Sequence, residues 1–201
     1  MNRDLPRVYL VRHGETAWSL TGQHTGRTDL PLTERGEQQA RELKARLTAL
    51  SVDRIFSSSL QRARRTAELA MPQSRIEDDD DLMEWDYGAY EGKRTADIEL
   101  ERPGWRLLQD GSPGGETLDA VCARADRVIG RLRAHGEDVV LFSHRELLRI
   151  LAARWIKLAP LEGRRLLLDT ASLSVLGYDH DLSEPVIHSW NGHIALKDGL
   201  T

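Results

Sequence analysis

The chain has 201 residues, of which 40% are hydrophobic and 30% charged, and a formal net charge of −4 at pH 7. This composition is ordinary for a soluble globular protein, and the length suits one domain spanning 1–201. The acidic balance disfavours nucleic-acid binding, which normally leaves a basic surface. The charges within the apolar stretch 147–158 disfavour a membrane span.

Cys122 is the single cysteine, which excludes an intrachain disulfide and a cysteine-based zinc site. The first residues are polar and do not form a signal-peptide pattern. We therefore expect a cytoplasmic protein.

Short apolar runs alternate with helical apolar stripes along the chain. They predict strands at 8–11, 53–56, 138–142, 171–178 and, as a short edge strand, 185–190. They predict helices after the capping residue Thr33, at about 60–70, at 116–134 and from 145 to 155. This alternation indicates an α/β fold with a mostly parallel sheet.

The segment at about 71–115 is the least regular part, and we expect it to be an irregular elaboration over the edge of the sheet. Its acidic run, 77–81, invites a metal-site interpretation. Consecutive carboxylates repel one another and point in divergent directions, so a solvated charge run is favoured.

The first predicted strand ends at Arg12, His13 and Gly14. Open α/β sheets bind their ligands at the carboxyl edge of the strands. A guanidinium matches the oxygens of a phosphate, an imidazole can act as a nucleophile, and glycine lets the backbone approach a ligand closely.

Two further strand ends carry similar groups. Ser58 follows the second strand and Arg62 lies one turn into its helix, while His144 follows the 138–142 strand. Each could be a surface or core residue on its own. If the strands are neighbours, however, their cations converge, and such a cluster calls for an anion such as phosphate. The helix that begins near Leu60 would add its amide groups.

Glu84 lies among aromatic residues in the segment 84–92. An apolar setting raises the pKa of a carboxyl group, which can then donate a proton to a leaving alkoxide. On spacing alone, a structural loop carboxylate is an equal alternative.

Together these motifs resemble the histidine phosphatase superfamily, which includes cofactor-dependent phosphoglycerate mutases. The resemblance covers the chain from Val8 to about Trp190. The residues that carry the resemblance are 12–16, Ser58, Arg62 and Thr66, 84–92 and 143–144. Within the superfamily, the chain is similar to small sugar-phosphate phosphatases, including sedoheptulose-bisphosphatase-like proteins, in the segments 22–33, 80–85 and 168–172.

The resemblance implies a three-layer sandwich whose mostly parallel central sheet is flanked by helices. It implies that His13 is the nucleophile and forms a phosphohistidine, and that Glu84 protonates the leaving group and then activates water. Arg12, Arg62 and His144 would hold the phosphoryl group. The expected substrate-binding residues are Ser19, His24, Thr25, Gly26, Ser58, Tyr87, Arg145 and Arg149. No metal and no cofactor are implied.

The chain departs from the family pattern after the second histidine, where Arg145 and Glu146 replace a glycine and its successor. The Arg145 side chain either crowds the bound phosphate or adds a positive charge to the phosphate site. Alternatively, Arg145 pairs with Glu146 and is held away from the phosphate. Ser19 is a smaller departure, since most relatives have asparagine there.

We therefore predict an enzyme, a phosphatase acting on a small phosphorylated metabolite, with a sugar phosphate or bisphosphate as the expected substrate. One alternative is mutase-type phosphotransfer, although mutases of this family carry Arg-His where this chain has Trp85-Asp86. The other is a weakly active or inactive binding protein, motivated by Arg145. We expect no nucleic-acid or membrane partner and leave a homodimer open. The histidines at 135, 180, 188 and 193 lack metal-ligand spacing with any carboxylate.

Overall fold

The computed structural model describes residues 5–193. Its sheet has six strands in the order β3-β2-β4-β1-β5-β6. They are β1 (Val8–Arg12), β2 (Arg54–Ser57), β3 (Glu77–Asp78), β4 (Val139–Ser143), β5 (Leu173–Tyr178) and β6 (Pro185–Gly192). The first four strands in the sheet order are parallel, whereas β5 pairs antiparallel with β1, and β6 pairs antiparallel with β5. The predicted mostly parallel sheet is confirmed, with β6 at its edge.

The helices surround this sheet. They are α1 (Ala17–Thr21), α2 (Glu34–Leu47), α3 (Gln61–Ala70), α4 (Thr95–Glu101), α5 (Leu107–Asp110), α6 (Leu118–His135) and α7 (Arg145–Trp155). As predicted, Thr33 caps α2, its hydroxyl accepting a hydrogen bond from the amide of Gly36. Among residues 5–193, no helix combines the length and apolarity needed to cross a bilayer.

Two hydrophobic cores lie on opposite faces of the sheet. Successive side chains of a strand point to opposite faces, and β1 accordingly sends Val8 and Leu10 to one core and Tyr9 and Val11 to the other. The first core contains α6 and α7, and the second contains α2 and α3. Burial on both faces explains why the inner strands are continuous apolar runs. The three-layer architecture is thereby confirmed.

The segment 71–115 contains regular elements that the sequence pattern did not predict, namely β3, α4, α5 and two 3-10 turns at Asp80–Leu82 and Gly88–Tyr90. Its acidic run is not simply solvated. Asp81 accepts hydrogen bonds from Arg127 at 2.5 Å and from Arg131 at 2.9 Å, both on α6. The hydroxyl of Ser143 also donates to the Leu82 carbonyl at 2.6 Å. These contacts attach the segment to α6 and to the end of β4.

Gly14 allows two backbone segments of the protein to pack closely against each other. The sequence predicts a different role for this glycine, close approach of the backbone to a ligand. A Cβ on Gly14 would lie 2.4 Å from the carbonyl oxygen of Gly36, and a Cβ on Gly36 would lie 2.1 Å from that of Glu15. Neither oxygen belongs to a flexible side chain. The two glycines therefore allow the first turn of α2 to lie directly against the segment that follows β1.

We expect Gly36→Ala to destabilise the protein by about 1–3 kcal/mol, because the added methyl group meets a backbone carbonyl. Gly130→Ala on α6 is the matched control. A Cβ there meets nothing within 4 Å, so improved helix propensity should stabilise the protein by about 0.5–1 kcal/mol. Urea unfolding measures both changes, and a Gly36→Ala variant as stable as the parent protein would contradict the packing described.

Candidate active site

The ends of β1, β4 and β2 are adjacent, as the sequence motifs require. Arg12 is paired with Ser143 across the β1–β4 ladder, and the amide of His13 donates to the Ser143 carbonyl at 3.0 Å. The amide of Ser58, after β2, donates to the Phe142 carbonyl at 2.9 Å. The parallel strands thus bring three distant segments of the chain to one edge of the sheet.

A cavity of about 120 Å³ opens at this edge, and we call it the catalytic cavity. Most of the predicted site residues line it: Arg12, His13, Ser19, His24, Thr25, Glu84, Tyr87 and Arg145. Residues that the sequence did not assign to a site complete the wall: Gly22, Gln23, Thr95 and Glu146.

His13 is held in one orientation. Its Nδ1 lies 2.7 Å from the carbonyl oxygen of Gly14, and because a carbonyl only accepts, Nδ1 carries the proton in this arrangement. Burial lowers the pKa of His13 well below its usual value, and the nearby Arg62 and Arg12 lower it further. The imidazole is therefore neutral near pH 7, with the lone pair of Nε2 available for attack.

Arg12 lines the same cavity and, in the part of the chain that the structure describes, has one buried donor without a partner. Its Nη1 donates to the Leu168 carbonyl at 2.6 Å, but within residues 5–193 its buried Nε has no hydrogen-bond acceptor. Burial and the neighbouring Arg145 lower the pKa of Arg12 to about 10, so the guanidinium stays charged near neutral pH. A buried donor without an acceptor is costly. An anion bound beside His13 would satisfy it.

Arg62, His144 and Ser58 are fully buried and do not line the catalytic cavity. The Nε of Arg62 donates to Nδ1 of His144 at 3.1 Å, so the ring proton of His144 lies on Nε2, 2.8 Å from the Ser58 hydroxyl. The rings of His13 and His144 are 5.2 Å apart between centroids. Burial, followed by Arg62, lowers the pKa of His144 well below its usual value. Contact of Arg62 and His144 with phosphate stays a prediction.

Glu84 lies at the N-terminus of α7. Its carboxylate accepts hydrogen bonds from the amides of Glu146 at 3.1 Å, Leu147 at 3.2 Å and Trp85 at 2.9 Å. These amides favour the ionised form, but burial and the charge of Glu146 outweigh them and raise the pKa of Glu84. The carboxyl group thus keeps a proton to higher pH than an exposed glutamate, as its apolar setting predicts.

The N-terminus of α3 differs from the expectation that its amides bind phosphate. The amide of Gln61 donates to the carboxylate of Asp29 at 2.8 Å. Leu60, the residue at the N-cap position of α3, has no side chain that can accept a hydrogen bond from the helix. The carboxylate of Asp29 supplies an acceptor there instead. No pattern in the sequence predicts this contact, because Asp29 lies in a separate loop.

Glu146 pairs mainly with Arg149. Both carboxylate oxygens lie 2.9 Å from Nη1 of Arg149, whose Nε donates to the Gly163 carbonyl. Arg145 approaches Glu146 only at 3.7 Å, with 46% of its side chain exposed. Arg145 is therefore not drawn aside and lines the catalytic cavity. Arg149 does not line that cavity, and its charge is balanced by Glu146.

Gly26 also lies outside the catalytic cavity. Its amide donates to the carboxylate of Glu91 at 2.8 Å, as does that of Thr28 at 3.0 Å. A Cβ at position 26 would lie 2.4 Å from the carbonyl oxygen of Trp85. The glycine therefore serves the packing of the loop that presents Thr25, with Glu91 as the anchor that sequence reasoning missed.

Arg124 and Glu116 hold the segment that carries Glu84. Arg124 donates to Glu116 through Nε and Nη2 at 2.8 Å each, and to the carbonyls of Asp81 and Met83 at 2.9 and 2.7 Å. Glu116 in turn accepts from the amide of Asp86 at 3.0 Å. No motif or spacing in the sequence marks this pair.

The one metal-like cluster among residues 5–193 is Asp179, His180 and Glu184, whose ligand atoms lie within 4.8 Å of one another. The expectation that His180 lacks carboxylate partners at metal-ligand spacing is therefore wrong. The cluster is exposed at the turn between β5 and β6. Glu184 lies 2.7 Å from the imidazole and raises the pKa of His180. This ion pair accounts for the cluster, which lies outside the catalytic cavity.

The mostly parallel sheet thus brings two histidines, two arginines and a buried glutamic acid to one edge, as in the arrangement that the sequence motifs predict. A sequence model described as "Histidine phosphatase superfamily (branch 1)" matches residues 8–192. The chain belongs to this superfamily, which confirms the predicted resemblance.

Several relatives are similar over most of the chain. An acid phosphatase of Mycobacterium tuberculosis is 37% identical, covering 93% of this chain and 94% of its own. A sedoheptulose 1,7-bisphosphatase of Saccharomyces cerevisiae is 38% identical, covering 76% and 68%. A probable phosphoglycerate mutase of Salmonella choleraesuis is 37% identical, covering 86% and 85%.

A solved structure shares the architecture. It is the product of an open reading frame of Mycobacterium tuberculosis, which superimposes with a TM-score of 0.89 and 35% identity. The match covers 95% of this chain and 99% of that one.

We expect Arg124→Met to destabilise the protein by about 3 kcal/mol, because it removes the two charged hydrogen bonds to the mostly buried Glu116 carboxylate and leaves it, among residues 5–193, only the longer ion pair with Arg27, at 3.5 Å. Arg154→Met is the control, since Arg154 pairs with Asp126 at the surface and should cost under about 1 kcal/mol. Urea unfolding compares the two variants. Equal losses would contradict a special role for the Arg124–Glu116 pair.

Proposed function

We propose that the chain is a phosphatase that hydrolyses a phosphomonoester of a small metabolite through a phosphohistidine intermediate. The observation that carries this proposal is the arrangement in the catalytic cavity. His13 is neutral with Nε2 free, Arg12 has an unsatisfied buried donor, and Glu84 is a carboxyl group with a raised pKa.

In the first step, Nε2 of His13 attacks phosphorus and the bond from phosphorus to the ester oxygen breaks. Glu84 gives its proton to the departing alkoxide, which leaves as an alcohol. Arg12 stabilises the negative charge on the phosphoryl oxygens, as a guanidinium can do through paired hydrogen bonds. The carbonyl of Gly14 stabilises the Nδ1 proton as His13 becomes cationic.

In the second step, the ionised Glu84 takes a proton from water, and the resulting hydroxide attacks phosphorus. The bond between phosphorus and Nε2 breaks, which releases inorganic phosphate and restores neutral His13. Glu84 is protonated again and ready for the next turnover. Every proton in the cycle is thus carried by a group on this chain, so we propose that no metal or cofactor takes part.

The proposed substrate is a small phosphorylated metabolite, with a sugar phosphate or bisphosphate as the leading class. The size of the catalytic cavity, about 120 Å³, suits a phosphoryl group and a few attached atoms. Relatives named acid phosphatase and sedoheptulose bisphosphatase support the hydrolytic assignment. We propose a cytoplasmic location, in line with a single cysteine, Cys122, which cannot form an intrachain disulfide.

Loss of the nucleophile tests the mechanism directly. We expect His13→Ala to reduce phosphate release by at least about a thousandfold, while His135→Ala, at the exposed end of α6, keeps the parental rate. The measurement is phosphate release from p-nitrophenyl phosphate, with rapid quenching to detect an alkali-stable, acid-labile phosphoryl adduct. Retained turnover in His13→Ala would overturn the phosphohistidine mechanism.

The pH dependence tests the proton donor. Since Glu84 must be protonated in the first step, kcat/KM falls as the pH rises through its pKa. Glu146→Gln removes a negative charge that raises this pKa, so we expect the falling limb to move to lower pH. Glu162→Gln, whose carboxylate pairs with Arg165 outside the cavity, should leave the limb in place. An unmoved limb in Glu146→Gln would contradict the role of Glu84.

Mutase-type transfer is the second candidate, favoured by the relative named as a probable phosphoglycerate mutase. It uses the same first step but returns the phosphoryl group to a second hydroxyl in place of water. Incubation with 3-phosphoglycerate, with both isomerisation and phosphate release measured, separates the two. Isomerisation that outpaces phosphate release would replace the phosphatase assignment.

A further inference from the structure

A second cavity, of about 200 Å³, adjoins the catalytic cavity, and we call it the annex cavity. The two cavities share a wall, because each is lined by His24, Thr95, Arg145 and Glu146. Beyond this wall the annex cavity is bounded by α5 with the preceding Trp105 and Arg106, and by Arg149 and Arg164. The annex cavity is therefore a neighbouring space that can take the other end of a substrate bound at His13.

The annex cavity carries uncompensated positive charge. Two of its four arginines are neutralised, Arg106 by Glu99 at 2.5 Å and Arg149 by Glu146 at 2.9 Å. Arg164, in the 3-10 turn Pro160–Arg165, makes no ion pair within residues 5–193.

Arg145 reaches Glu146 only at 3.7 Å, and the Glu146 carboxylate is already held by Arg149. His24 contributes no charge near neutral pH, since burial lowers its pKa. Arg145 and Arg164 thus remain as the available cations of this cavity.

Another part of the wall is apolar. Leu107 and Leu108 line it together with Trp105, whose indole nitrogen donates to the Gly111 carbonyl at 2.8 Å. His24 meets the Trp105 ring edge-on, with centroids 5.5 Å apart, and stacks on Tyr87 at 4.7 Å. Such a surface packs against a short carbon skeleton, while the arginines recognise its charged end.

We propose that the annex cavity binds the non-transferred end of the substrate, and that this end carries a second anionic group, a phosphate or a carboxylate, held by Arg145 and Arg164. Guanidinium groups pair with either anion through two parallel hydrogen bonds. The assignment rests on the proposed function, because it places the transferred phosphate at His13. It gives Arg149 the role of counter-ion to Glu146, in place of the substrate contact expected from the sequence.

The test measures kcat and KM for phosphate release from matched substrate pairs. Comparison of fructose 1,6-bisphosphate with fructose 1-phosphate tests whether a second phosphate improves turnover. Comparison of 3-phosphoglycerate with glycerol 3-phosphate tests whether a carboxylate does. The compound p-nitrophenyl phosphate reports on hydrolysis without such a group. The variants are Arg164→Gln and Arg145→Gln. Arg165→Gln is the matched control, because Arg165 neighbours Arg164 but pairs with Glu162 and does not line the annex cavity.

We expect the parent protein to favour the member with the second anion in at least one pair by about tenfold in kcat/KM. Arg164→Gln and Arg145→Gln should remove most of this preference, chiefly through a higher KM for the doubly anionic substrate. Arg165→Gln should retain it. The pair that shows the preference identifies the anion as phosphate or carboxylate.

Hydrolysis of p-nitrophenyl phosphate without preference in either pair would overturn the proposal while leaving the phosphatase assignment intact. A preference that survives in Arg164→Gln would also overturn it. Failure of every compound to release phosphate would overturn the proposed function instead. Calorimetric titration with the same pairs then decides the annex assignment: weaker binding of the doubly anionic member by Arg164→Gln supports it, and equal binding refutes it.

Discussion

The guanidinium of Arg62 is the contact on which the rest of the site depends. It is fully buried and donates to the carbonyls of Thr25, Gly26 and Thr28 and to the ring of His144. One side chain thus joins α3 to the loop that presents Thr25 and to the segment between β4 and α7. A buried cation is tolerated only where its hydrogen bonds are satisfied. The geometry of all three segments is therefore fixed together.

A second constraint sets the protonation behaviour of the catalytic groups. Burial and neighbouring arginines lower the pKa of His13 and of His144, whereas burial and the charge of Glu146 raise the pKa of Glu84. The opposite directions of these shifts suit a neutral nucleophile beside a proton donor. The cations that could upset this balance are mostly paired, as Arg149 is with Glu146 and Arg124 is with Glu116. Arg12 and Arg145 remain open toward the catalytic cavity.

Much of the fold follows from the sequence, because the inner strands are apolar on both faces and the helices carry clear stripes. Arg12, His13, Glu84 and Arg145, which the sequence singles out, line the catalytic cavity. What the sequence cannot show are contacts between segments without periodicity. Asp29 at the start of α3, Glu91 on the loop amides and Glu116 on Arg124 are three such contacts.

The assignment of Arg149 illustrates the same limit. Spacing on α7 places it one turn after Arg145, but only the fold shows that Glu146 takes its charge. In the same way, Gly14 looks like a residue that makes room for a ligand, whereas its absent side chain makes room for α2.

The dispersal of the site along the chain has a consequence for how the protein acquires its activity. Arg62 and His144 are 82 positions apart, and the Glu84 contact with Leu147 spans 63. Contacts of such long range form after local helices, because the intervening chain must first lose its freedom. Recovery of turnover during refolding therefore reports on the closure of the β2–β4–β1 ladder, and far-ultraviolet circular dichroism reports on the earlier appearance of helices such as α6.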